Sequence, residues 1–519
     1  MRAGIWTLGL IRVGRLRDRL PVEPVLEPEQ LARHQPDGHQ RQAADDRVGH
    51  LGEPFLRFEP THHWPGIRGA STVRTMNGGV GPADRLPRVA TPVDPELLSA
   101  DDARILNLES EAITGHTLKL VILEPGSGPL DVEALKRTVE QRLSTQPRST
   151  QSVDTGGSEP RWKAATNFDI DDHIRRVPET GSATESDLWR IVSGLMSEHL
   201  DRTRPLWTLD VIGPLEDGRD AIAARIHHAM ADGIACVRFL ESVLFDTHPD
   251  PAASGRPGPS VAAKPLTLEA EVRRLPGAVV RELGHRGVRS PFDQPITVAR
   301  ELAFTAASLA EMKQIAASRP GHATVNDVLL AMIAGGLRAW LPGDSARARH
   351  LRAQVPVSLH HRDESGASPG NCDSFMNVDL PLGTGDPLVR LDLISVETSK
   401  RKRLDDAEEM YDLFHALGKV KLIDKAVQHL AGSAGEFSLA ISNVPGPANP
   451  VRVSDRTVQH LFSSSEPGTH HALRISAISC AGEIGIGLCT DPSALPGIAG
   501  LADAIERSYA ELRSAAIAI

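Results

Sequence analysis

Cysteine is scarce in this chain: 519 residues carry four, Cys236, Cys372, Cys480 and Cys489. Their spacing fits no zinc-ligand pattern and no CxxC redox pair, and so few in so long a chain exclude a disulfide scaffold; a reducing compartment is the simple reading. Aromatic residues make up only 4%, so the core must be aliphatic. No run approaches the roughly 18 apolar residues that a membrane-spanning helix needs. A basic surplus is missing too: the net charge is −10 and the pI is near 6.1, which argues against broad nucleic-acid binding. No glycine pattern of a P-loop or dinucleotide site occurs. The apolar stretch from Met1 to Ile11 stops at Arg12 without a small-residue cleavage site, so the chain reads as not exported by a signal peptide.

What is present is ordinary for a globular protein, 40% hydrophobic and 24% charged. The length exceeds the roughly 250–300 residues at which one core stops growing, so two domains or lobes are expected. Residues 1–75 stand apart, rich in Arg, His, Pro and Gln, without lysine, and with no sustained period beyond a short piece near Ile5 to Leu20. This stretch is expected to be a disordered leader or upstream sequence translated from an early start, in which case Met76 is the start.

Beyond it, helical and strand periods alternate. Ser99 caps a helix with Asp102 at its third position. His116 to Glu124 reads as a strand, Val132 to Leu143 as an amphipathic helix, and Ser186 to Leu200 as a second one. Two strands, Leu206 to Ile212 and Ala221 to Ile226, flank a turn at Gly213 to Arg219. Pro249 to Pro265 has linker composition, dividing an N-terminal lobe, 76–248, from a C-terminal lobe, 266–519. In the second lobe a helix spans Thr324 to Leu341, strands cover Gln354 to Leu359 and Phe375 to Leu382, and Asp405 to Leu430 is helical. A strand pair over Ala472 to Cys489 turns near Ala481-Gly482, and a last helix covers Gly497 to Ala515. The class is α/β or α+β with two lobes.

The chemistry concentrates where the strand Ala221 to Ile226 runs into His227-His228-Ala229-Met230-Ala231-Asp232-Gly233, followed by an apolar-periodic helix from Ile234 to Phe245. A strand-to-helix junction holds a side chain rigidly while leaving one face open. An imidazole, unperturbed near 6.5, suits the removal of a hydroxyl proton in acyl transfer. Asp232 is expected to hold local geometry, and Gly233 to supply a backbone conformation that a Cβ would resist. Histidine pairs alone are weak signals, since His62-His63, His360-His361 and His470-His471 also occur. His228 and Asp232 find no convincing third metal ligand. Gly366-Ala367-Ser368-Pro369-Gly370 matches GxSxG, but a polar loop precedes it and Pro369 lacks the N–H that a nucleophile elbow uses for its oxyanion hole.

The segment resembles the HHxxxDG signature of acyltransferases with the chloramphenicol acetyltransferase and condensation-domain fold. Other blocks are similar to one branch, the bacterial wax ester synthase/diacylglycerol acyltransferases. In order they are Leu98 to Asp102 through Leu108-Glu109, Phe168-Asp169-Ile170 with His173, and Arg204-Pro205-Leu206-Trp207. Thr324 to Ala331, Val355 to Ser358, Gly370-Asn371, Val378 to Pro381 and Ser442-Asn443-Val444-Pro445-Gly446-Pro447 follow. The resemblance covers about residues 96–516. It departs at Asp293 to Arg300, where an asparagine and a glycine of the family's pattern are missing, and at Cys480, where a tyrosine is common.

The resemblance implies two lobes around a tunnel, with acyl-CoA entering from one side and the alcohol from the other. It implies His228 as general base, Asp232 as structural support, and His227 as support for the loop. Asn326 would line the site or open its helix, Pro205 to Trp207 would serve packing, and Ser442 and Asn443 would sit in a turn, where either one donates to the developing oxyanion or the turn is a plain one. The expected reaction moves a fatty acyl group from acyl-CoA to diacylglycerol or a long-chain alcohol, with no cofactor and no metal. A weakly active or inactive lipid-binding relative is the alternative. A water-insoluble acceptor implies a cytoplasmic protein in peripheral contact with membrane or lipid droplets. Nothing in the sequence separates the two acceptors, sets chain length or fixes the oligomeric state.

Overall fold

The computed structural model describes residues 95–177, 182–246, 290–321, 323–341, 351–358, 373–403 and 437–517, all within one compact unit, Arg88–Ile519. The leader 1–75, the linker 249–265, the helix expected at 405–430, the GxSxG segment, Gly370-Asn371 and Cys372 lie outside the described residues.

The N-terminal half runs β1 (Glu96–Leu97), α1 (Ala100–Leu108), β2 (His116–Leu123), α2 (Val132–Arg142), β3 (Gln151–Asp154), β4 (Arg161–Ala164), β5 (Ile174–Arg176), α3 (Glu185–Ser197), β6 (Trp207–Ile212), β7 (Asp220–His227) and α4 (Gly233–Val243). The C-terminal half runs β8 (Glu301–Ser308), α5 (Leu309–Ala317), α6 (Val325–Trp340), β9 (Leu351–Ser358), β10 (Asp373–Leu380), α7 (Pro387–Arg403), β11 (Leu439–Val444), β12 (Arg452–Val453), β13 (Arg456–Ser465), β14 (Leu473–Cys480), β15 (Glu483–Thr490) and α8 (Ile498–Ile517). Local chemistry sets these boundaries. Ser99 accepts the Asp102 N–H at the start of α1, and reciprocal capping boxes open α3 at Thr184/Asp187 and α6 at Thr324/Asp327. The β14–β15 turn places Ala481 and Gly482 at φ 48° and 91°, as a two-residue hairpin of this hand demands.

Two six-stranded sheets form the frame. One has the order β10-β9-β11-β14-β15-β8, with β11 parallel to both of its neighbours. Helices α6 and α8 share with it an aliphatic core built from Val328 to Leu337 and Leu501 to Leu512. The other sheet has the order β12-β13-β2-β7-β6-β5. Its outer strands β12 and β13 come from the C-terminal half, so the chain halves and the sheets do not coincide. Arg456, the first residue of β13, donates to the Asp220 carboxylate and to the Glu124 and Gly218 carbonyls, stitching the late strand to β7 and the end of β2. The sheets approach each other where β15 has Gly485 and Gly487. A Cβ there would stand 2.1 Å from the Leu461 carbonyl oxygen and 2.2 Å from that of Ser463, so only glycine admits β13 at this distance.

Candidate active site

β7 is clamped between β2 and β6, with His116 opposite His227. Beyond its last residue the clamp continues. The His227 N–H donates to Leu206 O at 3.0 Å and the His228 N–H to Gly115 O at 2.8 Å. Period-2 alternation sends the two imidazoles to opposite faces of the sheet.

His227 is fully buried. Its Nδ1 accepts the Ala229 N–H at 3.0 Å, so Nε2 carries the proton, and that nitrogen lies 2.6 Å from Glu109 Oε1, a charge contact outside hydrogen-bond geometry. The ring occupies space left by Gly115, whose hypothetical Cβ would lie 2.2 Å from Nε2. At φ +76° Gly115 also needs glycine for its backbone. Glu466, just past β13, accepts the N–H groups of Thr114 at 2.8 Å and Gly115 at 2.6 Å. Thus the loop carrying Gly115 is fixed from the C-terminal half, and the His227 ring packs against it.

His228 is the first residue past β7, at the junction with the loop into α4, and is half-buried. Burial, then the positive charges of Arg474 and Lys119, then His227, push its pKa from 6.5 to about 3. The imidazole is therefore neutral at physiological pH, the form that accepts a proton. On the other side of the sheet, burial followed by Arg225, His227 and His199 holds His116 well below the usual imidazole value.

Asp232 is the N-cap of α4, its Oδ1 accepting the Ala235 N–H at 2.7 Å. Gly233 departs from expectation. It is not among the positive-φ glycines; its missing Cβ instead admits Val444, whose Cγ2 would be 2.8 Å away. Ser442 and Asn443 lie in strand β11 and not in a turn, paired with Ser476 and Ala477 of β14. Sheet pairing overrides their low strand preference, and the turn residues Pro445-Gly446-Pro447 follow the strand's end. Ser442 donates to Ser476 Oγ at 3.2 Å and shares a strand face with Val444; Asn443 is exposed on the opposite face. Asn326 is the second residue of α6, half-buried, the helix-start position.

Trp207 stacks on His173 with ring centroids 4.5 Å apart, His173 stacks on Phe168 at 5.0 Å, and the Trp207 indole donates to Ser149 O at 2.8 Å. Two sequence blocks thus form one packing column beneath β6. In the block that departs from the family pattern, the Thr297 N–H and hydroxyl bind the Asp491 carboxylate, and the Arg300 guanidinium binds the Ala112 carbonyl beside the Gly115 loop. A cleft lined by His173, Glu198, Arg204, Trp207 and Arg225 does not include His228; its Arg225 shares the His227 face of β7. Glu109, Lys119, Glu466 and Arg474 were not anticipated as site residues. Lys119, a lone charge within an apolar strand, is the one that the sequence could have flagged.

Residues 98–289 match the wax ester synthase/diacylglycerol acyltransferase catalytic domain, and residues 369–513 match the C-terminal domain of the same family. The Mycobacterium tuberculosis protein described as "Probable diacyglycerol O-acyltransferase tgs2" is 28% identical over 458 residues, covering 81% of this chain and 99% of that protein. Among solved structures, the wax ester synthase/diacylglycerol acyltransferase from Marinobacter aquaeolei VT8 is similar at a TM-score of 0.59 and 22% identity, covering 81% of this chain and 99% of that one. The first condensation domain of the CDA synthetase is similar at a TM-score of 0.53 and 16% identity, covering 82% and 97%. At these identities the solved structures speak to the fold alone: two-lobed α/β of the condensation-domain kind.

Proposed function

The chain belongs to the wax ester synthase/diacylglycerol acyltransferase family, and on that premise we propose that this acyltransferase moves a fatty acyl group from acyl-CoA to a lipid alcohol with His228 as general base. The observation that carries the reading is His228 itself: an imidazole anchored by its backbone to Gly115 at the strand-to-helix junction and kept neutral by burial and by the charges of Arg474 and Lys119. Its ring takes the hydroxyl proton as the alcohol oxygen attacks the thioester carbonyl. The tetrahedral intermediate collapses, the C–S bond breaks, and the imidazolium returns the proton to the departing thiolate. Atoms and charge balance with acyl-CoA as co-substrate and no metal or redox group. Such proton transfer contributes about 10²–10⁴-fold.

His227, Glu109 and Asp232 position the base without touching substrate. Diacylglycerol and a long-chain alcohol both satisfy the chemistry as acceptor. Among the described residues no helix is long and apolar enough to cross a membrane, and we read contact with a bilayer or lipid droplet as peripheral, on the cytoplasmic side. The test is thiol release from palmitoyl-CoA by the purified full chain, with diacylglycerol or hexadecanol as acceptor. Acceptor-dependent release that falls by about 10² or more in His228→Ala is expected. A folded wild type without acceptor-dependent release, or a variant that matches it, overturns the reading.

A further inference from the structure

Strand β2 reads His116-Thr117-Leu118-Lys119-Leu120-Val121-Ile122-Leu123, with one ammonium amid apolar side chains. Lys119 is 2% exposed. Its Nζ donates to Thr117 Oγ1 at 2.9 Å and to Ser463 Oγ at 2.8 Å, both neutral hydroxyls. Thr117 gives its own proton to the Ser464 carbonyl at 2.8 Å and accepts from Ser465 Oγ at 3.3 Å. An ammonium has three N–H donors, so this network engages two of them. Burying a cation against hydroxyls alone is expensive, and residues kept at such cost are enriched where the chemistry needs them.

Position points the same way. Lys119 pairs with Ala224 and Thr117 with Ile226. By alternation these residues share the face on which His228 emerges two residues later. The lysine side chain does not stand over Ala224; it reaches back to Thr117, toward the His228 end of the strand. Resting on the acyl-transfer reading above, we propose that Lys119 is a catalytic residue whose third N–H holds the oxygen that becomes negative when the thioester carbonyl is attacked.

In that step the carbonyl π pair moves onto oxygen beside the ammonium while His228 takes the hydroxyl proton. On collapse the C=O re-forms and the thiolate recovers the proton from His228. Burial, with Arg474 nearby, lowers the Lys119 pKa from the ordinary lysine value while Cys236 raises it; the step uses the ammonium form, which keeps its protons throughout. The groups that act on His228 from the packed elements are Lys119 on β2, Arg474 on β14 and His227 on β7, all of which oppose a charged imidazole at rest. Asp232 and the neutral Cys236 thiol, pushed up to about 12 by burial, lie on the α4 side. Negative charge on the intermediate cancels this opposition, so base protonation and oxyanion formation rise together.

The experiment compares Lys119→Met and Lys119→Gln with wild type in the palmitoyl-CoA assay, with thermal melting as a check on folding. Met matches the lysine stem and removes an uncompensated charge, so the fold is expected to hold. Loss of one preorganised donor predicts a kcat lower by about 10²-fold with KM nearly unchanged. Loss of the charge moves the acid limb of the pH profile upward, a response that a packing role would not give. Folded variants with wild-type kcat and an unmoved limb overturn the proposal, while an inactive His228→Ala in the same series leaves the base intact. If His228→Ala is as active as wild type, the base assignment fails, and if wild type shows no acceptor-dependent release, the acyl-transfer reading itself fails. If Met and Gln both abolish folding, Lys119 is a folding residue and the assignment falls.

Discussion

His227 joins Glu109 to the backbone of Ala229: one ring nitrogen stands 2.6 Å from the carboxylate, the other accepts an N–H at 3.0 Å. The first histidine of the pair is thereby spent on geometry. Glu109→Ala should loosen the loop that aims His228 and lower kcat by about tenfold or more, since misplacement by an ångström costs on the order of 10². Glu109→Gln keeps an acceptor oxygen and should stay within a few-fold of wild type. Steady-state kinetics of the pair decide it. Equal losses in both would make the charge, and not the shape of the contact, the working feature.

The pH dependence follows from the His228 environment. With a pKa of about 3 against 6.5 in an unfolded chain, the imidazole stays in its base form over roughly pH 5–8. The acid limb of kcat/KM is therefore expected well below pH 5, where an ordinary histidine would place it near 6.5. A limb near 6.5 in the wild type would contradict this.

The same shifts govern stability, with the sign of a depressed histidine. His228 and His116 bind their protons in the unfolded chain before the folded one, so stability is full above about 6.5 and is lost as pH falls from there toward the folded values. Thermal midpoints should decline between pH 7 and 5, and His116→Leu should flatten the slope. A midpoint constant over that range would show that neither ring is protected from protonation.

Gly233 and Val444 form a contact with no slack. Gly233→Ala would place Cβ 2.8 Å from Val444 Cγ2, and a β-branched side chain has no rotamer to yield. Overpacking of this kind costs about 1–3 kcal/mol. Pairing it with Val444→Ala should recover most of the loss, as a double-mutant cycle by chemical denaturation can measure. Additive effects would mean that the two residues do not share this space.

Asp220 is fully buried and accepts from Arg456, Arg176 and the Leu130 N–H. Removing Arg456 leaves the carboxylate with Arg176 as its remaining cation among these partners. Arg456→Ala should therefore destabilise by about 3 kcal/mol, near the range for breaking a buried pair. Urea denaturation would register this, and an unchanged midpoint would mean Arg176 alone suffices.

Much of the frame was legible because local chemistry and tertiary packing agree there. The caps at Ser99 and Thr324, the apolar stripe Leu188, Ile191, Val192, Leu195 and Met196 on α3, and the strand into His227 all stand within a few residues of where the spacing puts them. The misses have physical causes. β13 ends in Ser463-Ser464-Ser465, which no hydrophobic period marks, because that end faces the hydroxyl network around Lys119. Ser442 and Asn443 look like turn residues until β14 supplies their pairing. Glu109 and Glu466 act across hundreds of residues or through another side chain, and no local pattern records such contacts. Gly233 was recognised as necessary, but the reason lay in Val444, more than two hundred positions away.

Lys119 and Ser463 are 344 residues apart in the chain. During synthesis the strand holding Lys119 leaves the ribosome with β7 to cover one edge and nothing to cover the other until β13 is made. For that interval Leu118, Leu120 and Val121 border an open row of backbone donors and acceptors, the template on which chains stick to one another. A product truncated before Arg456 would keep both histidines and still lack an enzyme, and it would aggregate. The late strand makes catalytic competence and solubility a single event at the end of translation.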